Sequence, residues 1–105
     1  MSIAITADVL DGCVLSLLTQ EDAYGYALTQ RVQTTLPVSE STMYPVLRRL
    51  KQAGLVETYD QPYQGRNRRY YRITAPGVAH LTDLRQQWRR YKNSIDQLME
   101  GSAHD

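Results

Sequence analysis

The chain has few of the residues that build metal sites, disulfide frameworks and membrane spans. Its 105 residues include one cysteine, two histidines and no apolar run near the roughly 20 residues that cross a bilayer. A single cysteine forms no internal disulfide, and His80 and His104 do not make the paired spacing of a zinc motif. The first residues lack a basic region followed by a long apolar run, so we expect no secretory signal and a cytoplasmic location.

The patterns of common enzymes are also lacking. No glycine-rich phosphate loop follows a strand-like run, and there is no G-x-S-x-G sequence for a nucleophilic serine. The acidic residues are scattered singly, so no catalytic triad can be assembled from them. Cys13 lies in an apolar run, which favours a buried and inert thiol. We therefore expect neither an enzyme nor a metal or cofactor site.

Positive charge is present, but it is confined to one part of the chain. The formal net charge is only +1. Residues 1–36 hold four acidic side chains and one basic one, whereas residues 37–72 hold seven basic and three acidic ones. A local positive excess on a nearly neutral chain is typical of a surface that binds nucleic acid.

Residues 39–56, SESTMYPVLRRLKQAGLV, predict a helix that ends at Gly54 and leads directly into a strand. Met43, Leu47 and Leu50 recur at i, i+4 and i+7, which places them on one apolar face. A second face offers hydroxyls, a phenol and cations: Ser41, Tyr44, Arg48 and Lys51. DNA-reading helices place short polar groups first and basic groups further along, although ordinary surface helices have charged faces too.

The start of this helix holds two informative residues. Ser39 is suited to cap the first turn, because its hydroxyl can accept from a free backbone N–H. Pro45 has no N–H and would lie beyond the first turn of a helix that began at Glu40. We therefore expect the helix either to begin later or to open with an irregular turn.

Two helices are predicted before this one and a hairpin after it. The first covers about residues 6–19, and the second runs from a cap at Asp22 to about residue 35. Strand-like runs at residues 55–60 and 68–74 flank the segment QPYQGRN, in which Pro62 and Gly65 are turn signals. Three helices followed by a hairpin is the winged-helix arrangement.

A last helix is predicted over residues 75–100, with Thr74 as its cap. Apolar residues follow one another along it at steps of three and four: Leu81, Leu84, Trp88, Tyr91, Ile95 and Leu98. This a/d heptad pattern predicts a seam for another helix. Because so small a domain offers a helix of this length little surface, a two-fold partner is the simple interpretation. The alternative is a helix folded back on its own domain.

Three segments together resemble the PadR family of bacterial transcription regulators. They are AYGYALTQRVQ at residues 23–33, STMYPVLRRLKQAGLV at residues 41–56 and GRNRRYYRIT at residues 65–74. The single C-terminal helix is similar to that of the short subfamily. Ser41 stands where the family commonly has glycine or alanine, and Met43 where it has leucine, which leaves the base contacts open but not the fold.

The resemblance implies an α+β fold that is mainly α, a winged helix-turn-helix with a long dimerisation helix. Residues 1–74 would form the DNA-binding region, residues 75–100 the dimerisation helix packed on the same single domain, and residues 101–105 a flexible tail. The implied function is a homodimeric repressor without a cofactor, whose partner is double-stranded operator DNA. The residues expected on DNA are Ser39, Ser41, Thr42, Tyr44, Arg48, Arg49, Lys51, Arg66, Asn67, Arg68 and Arg69. The residues expected in the dimer seam are Leu81, Leu84, Trp88, Tyr91, Ile95 and Leu98.

The resemblance also implies a site for an effector. Some short members bind flat aromatic compounds between the subunits, and Trp88 falls at the matching place, with Tyr91 close by. We therefore expect a small aromatic ligand to release the repressor, unless Trp88 simply fills the interface. The competing function is a winged-helix module that binds protein and not DNA. Such a module has no need to concentrate positive charge on one helix and the wing.

Overall fold

A computed structural model describes residues 5–101 and gives them a mainly helical winged helix-turn-helix fold with a small antiparallel sheet. The predicted tail falls outside the described residues from residue 102 onward. No helix in the described range is long and apolar enough to cross a membrane. The elements are α1 Ala7–Leu18, β1 Ala23–Tyr24, α2 Gly25–Gln33, α3 Glu40–Gln52, β2 Val56–Tyr63, β3 Arg66–Ile73 and α4 Ala75–Glu100.

The core lies where α1, α2, α3 and the first part of α4 meet. The apolar face predicted for α3 is confirmed, since Met43, Leu47 and Leu50 are each no more than 1% exposed. Val46 of α3 is buried with them, and the buried residues of the other elements pack against this face: Leu10, Val14, Leu15, Leu18, Leu28, Val32, Val56 and Leu81. This burial sets which side of α3 remains in solvent.

The helix α3 runs without a break from Glu40 to Gln52, so both expectations about Pro45 were wrong. Ser39 caps it as predicted, with its Oγ accepting from the Thr42 N–H at 3.2 Å. Pro45 costs the helix one bond, because it has no N–H to donate to the Ser41 carbonyl. Ser41 is exposed, so water can replace that donor. Gly54 ends the helix with φ 76°, as predicted.

The start of α2 was predicted wrongly. Asp22 does not cap it; the helix begins at Gly25 after the short strand β1. Ala23 pairs with Tyr71 and Tyr24 with Tyr70, in the middle strand of the order β1-β3-β2. Asp22 instead accepts a hydrogen bond from the Tyr59 hydroxyl at 2.6 Å. Pairing with a strand far along the chain therefore prevailed over local capping.

The hairpin is longer than predicted. Most of the expected loop is strand, and only Gln64 and Gly65 connect β2 to β3. Both have positive φ, 50° and 79°, which is the two-residue turn that matches the twist of a hairpin. Pro62 is tolerated because β2 is an edge strand. The wing is consequently a rigid ribbon whose side chains have defined neighbours.

The helix α4 begins at a joint with the end of α3. Thr74 caps it, its Oγ1 accepting from the Gly77 N–H at 3.1 Å and donating to the Gly54 carbonyl at 2.7 Å. Its backbone N–H donates to the Leu55 carbonyl at 3.1 Å. Beyond this joint the first part of α4 packs on α1, and the rest extends into solvent.

Candidate nucleic-acid interface

The exposed side of α3 carries most of the residues predicted to touch DNA. Ser41, Thr42, Tyr44, Arg48 and Lys51 are all exposed, with Tyr44 54% accessible. The hydroxyl of Ser39 lies 2.9 Å from that of Ser41 and 3.1 Å from that of Thr42. These hydroxyls therefore form one cluster at the N-terminal end of α3, with the two cations further along.

Arg49 is exposed as well, with 45% of its side chain accessible, but its guanidinium has a partner in α1. Its guanidinium donates to the carboxylate of Asp11 in α1, forming an ion pair with a carboxylate whose residue is only 6% exposed. Neighbouring residues of a helix differ by about 100°, so Arg48 faces outward while Arg49 faces α1. The structure thus gives Arg49 a partner other than DNA. Asp11, a single acid within the apolar stripe of α1, was the sequence signal for that partner.

The environment of Asp11 explains why it needs Arg49. Burial raises the pKa of the Asp11 carboxyl above its ordinary value, because removal from water disfavours the charged form. The hydrogen bond and charge of Arg49 act in the opposite direction and offset part of that increase. The charge of His80 on α4 also lowers the pKa of Asp11, so residues of both α3 and α4 affect this carboxyl.

The wing presents the other predicted cations. Arg66, Asn67 and Arg69 are exposed, and Arg69 lies 3.8 Å from the Asp60 carboxylate in a loose surface pair. A cleft of about 500 Å³ opens at the tip of the wing. It is lined by Tyr63, Gln64, Arg66, Asn67 and Arg68. The polar lining suits a phosphate group better than an apolar ligand.

The outer face of the sheet holds a row of tyrosines that the sequence reasoning did not identify. Tyr70 stacks on Tyr59 at 5.6 Å and meets Tyr24 at 5.7 Å between ring centroids. The hydrogen bond to Asp22 raises the pKa of Tyr59, since it is the neutral phenol that donates. Tyr71 and Ile73 alternate with this row and pack against the core. The alternation of side chains along β3 therefore gives one face packed on the core and one outer face that aromatic rings fill.

Comparison with known proteins decides the family. Residues 14–83 match the sequence profile of the transcriptional regulator PadR-like family. The chain belongs to the PadR-like family of transcriptional regulators. It is therefore a transcription regulator, as the resemblance implied, and not an enzyme.

Individual relatives match along most of the chain. A crystal structure of smu.1704 from Streptococcus mutans is 38% identical, with a TM-score of 0.87 and full coverage of both chains. The PadR-like transcriptional regulator BC4206 of Bacillus cereus is 34% identical with a TM-score of 0.77, covering 90% of this chain and 94% of its own. The transcriptional regulator Rv3488 of Mycobacterium tuberculosis is 33% identical over 92 residues, 87% of this chain and 83% of that protein.

In this PadR-family chain, the predicted seam of α4 divides into two parts. Leu81 is only 2% exposed, and Leu84 is partly buried against the same core beside α1, so the chain's own core covers this part of the pattern. The rest of the pattern is accessible: Trp88 is 45% exposed, Tyr91 61% and Leu98 81%, and Ile95 is partly buried. The rings of Trp88 and Tyr91 lie 6.2 Å apart. Met99, 73% exposed, extends this apolar stripe and was missed because it follows Leu98 outside the heptad.

Proposed function

We propose that this PadR-family chain is a homodimeric DNA-binding repressor that a small aromatic ligand releases from its operator. The observation that supports DNA binding best is a set of free cations. Among residues 5–101, four basic side chains of α3 and the wing have no carboxylate within 4 Å. They are Arg48, Lys51, Arg66 and Arg68. Unpaired cations on these two elements suit a polyanion that spans both.

The helix α3 and the wing would contact different parts of the DNA. Thr42, Tyr44 and Arg48 lie on the exposed face of α3 and would come nearest the base edges in the major groove. Arg66, Asn67 and Arg68 would contact phosphates beside it. Arg49 is left out of the proposed contacts because it pairs with Asp11. The competing function, a module that binds protein only, gives no reason for such cations to gather on α3 and the wing.

A salt titration tests this function directly. Binding to DNA from upstream of the protein's own gene should weaken steeply with salt, and Arg66→Gln should flatten the log–log slope by about one unit per lost phosphate contact. Arg89→Gln is the matched control, because Arg89 is also an exposed arginine but lies on α4, away from α3 and the wing. A wild-type protein that shows no salt-dependent binding would favour the protein-interaction module.

A homodimer would supply the second recognition helix. The exposed stripe of Trp88, Tyr91, Ile95 and Leu98 is apolar and continues a heptad, which suits the same stripe of a second copy. Two recognition helices in successive major-groove turns would lie about 34 Å apart.

The proposed effector site is the part of this stripe at Trp88 and Tyr91. Large rings that meet at a two-fold axis interdigitate less well than leucines and can leave a flat apolar gap.

A further inference from the structure

The guanidinium of Arg68 lies between two tyrosine rings. Its Cζ is 4.1 Å from the ring centroid of Tyr24 and 3.5 Å from that of Tyr63. The sheet register explains this position. Arg68 pairs with Gln61 in β2 and precedes Tyr70 by two residues in β3, so Tyr63 and Tyr24 are its diagonal neighbours on one face.

The four arginines of β3 differ in their environments. Arg72 lies over the Tyr59 ring at 4.8 Å, but it also has a carboxylate partner. Arg72 donates to the Glu57 carboxylate at 2.7 Å, and Arg69 lies 3.8 Å from Asp60. Arg68 has aromatic neighbours but no carboxylate within 4 Å in the described part of the chain. Ring faces take up the flat faces of a guanidinium and leave its N–H edge free. That edge has the spacing to donate two parallel hydrogen bonds to an oxyanion.

The free edge lies at a place that suits a phosphate. Arg68 lines the cleft of about 500 Å³ at the wing tip together with Arg66 and Asn67. Arg66 adds a second cation without an acidic partner within 4 Å in the described range, and Asn67 adds an amide donor. Among residues 5–101, no acidic side chain lines this cleft. The cleft therefore combines positive charge, donors and a guanidinium held in place before any ligand arrives.

We propose that Tyr24 and Tyr63 hold Arg68 as a preformed clamp for one backbone phosphate of the bound DNA. The proposal rests on the proposed DNA-binding function and assigns to the two tyrosines a positioning role that charge alone would not reveal. An arginine on an open surface loses rotamer freedom when it binds, whereas the stacked Arg68 has already lost it. Arg68 should consequently contribute more to affinity than Arg66, over which no ring stacks in the described part of the chain.

Four variants of the full-length protein test the clamp on the same operator DNA. Tyr63→Leu removes one ring at a site 43% exposed, and Tyr63→Phe keeps the ring as the matched control. Tyr63→Leu should weaken binding roughly threefold with the salt slope kept, since the charge remains. Tyr63→Phe should bind like the wild type. Arg68→Gln should weaken binding more and reduce the slope by about one unit. Arg68→Lys should keep the slope but lose affinity, because an ammonium is not a planar fork.

Coupling between the two residues is the deciding measurement. If the ring acts through Arg68, adding Tyr63→Leu to Arg68→Gln should cause no further loss. Losses that multiply, or a Tyr63→Leu variant that binds like the wild type, would overturn the clamp. Inorganic phosphate at matched ionic strength should compete with DNA in the wild type and less in Arg68→Gln. Phosphate that binds through Arg68 but leaves the DNA affinity unchanged would assign the cleft to a free phosphate and also overturn the clamp. Failure of the proposed function looks different, because the wild type itself would then show no salt-dependent binding.

Discussion

The two halves of α4 carry one continuous sequence pattern but have opposite surroundings. Leu81 is 2% exposed and packs in the protomer core, whereas Leu98, further along the same pattern, is 81% exposed. The first half lies over α1, where Arg85 donates to the Ser16 hydroxyl at 2.9 Å. The second half extends into solvent with the exposed rings of Trp88 and Tyr91. With this extension, the described part of the chain is 60 Å long in its greatest dimension.

This difference shows what a heptad pattern can and cannot predict. Steps of three and four residues identify the face of a helix that avoids water. They do not identify what covers that face. The two interpretations of the sequence, a helix folded back on its domain and a seam for a partner, each describe one half of α4. The fold-back of the first half is described by the structure, and the partner for the second half is a proposal.

The largest expected contrast between the two halves of α4 comes from replacing one leucine in each half by alanine. Leu81→Ala should lower the free energy of unfolding by about 2–5 kcal/mol, since it removes a fully buried side chain and leaves a cavity. Leu98→Ala, its matched control, should leave the fold of the protomer intact and raise the dimer dissociation constant by at least about tenfold. Urea unfolding measures the first effect and sedimentation at several concentrations the second. A Leu98→Ala protein that dimerises like the wild type would contradict the proposed seam.

The joint between α3 and α4 should be the next most sensitive place. A Cβ on Gly77 would lie 2.1 Å from the Leu55 carbonyl oxygen and 2.8 Å from the Ile73 side chain. Gly77→Ala should therefore destabilise the protein by about 1–3 kcal/mol, through displacement of α4. Gly12→Ala is the control within α1, where the new Cβ would meet only Leu84 at 3.8 Å. It should be neutral or stabilising by about 0.5–1 kcal/mol, because alanine favours a helix over glycine. Thermal unfolding of both variants checks the contrast.

The second half of α4 makes its own prediction through Trp88, the only tryptophan. If two copies meet there and leave a gap, planar aromatic compounds should quench the Trp88 fluorescence saturably at one per dimer. They should also shift DNA affinity by a coupling of about 1–2 kcal/mol, with DNA shifting ligand affinity equally. Tyr91→Ala should weaken the quenching while keeping the tryptophan signal. A broad panel that changes neither fluorescence nor DNA binding would mean that Trp88 fills the interface.

The features that were predicted correctly from the sequence depend on interactions between residues close together in the chain. The cap at Ser39, the apolar face of α3 and the end of that helix at Gly54 depend on residues within a few positions of each other. The cap of α4 at Thr74 is likewise local. These features position the exposed face of α3, so most of the candidate DNA surface could be read from the sequence.

The features that were missed depend on partners far away in the chain. Strand β1 has only two residues and exists because β3 pairs with it. Arg49 and Arg48 look alike in sequence, and only Asp11, 38 positions away, distinguishes them. Arg68 was expected on DNA as one cation among several. Its stacking needs the register of three strands, which no single segment specifies.

The smallest predicted effect concerns pH and the first half of α4. Burial raises the pKa of Asp11 above its unfolded value, so the folded protein binds a proton there more readily than the unfolded chain. The contribution of Asp11 to stability should therefore decrease as pH rises from its ordinary pKa through its raised one. Asp11→Asn lacks this titration, so the stability of the wild type relative to the variant should fall over that window. Urea unfolding of both proteins across mildly acidic pH measures the difference. A difference that grows with pH would show that Arg49, with help from His80, outweighs burial and lowers the pKa.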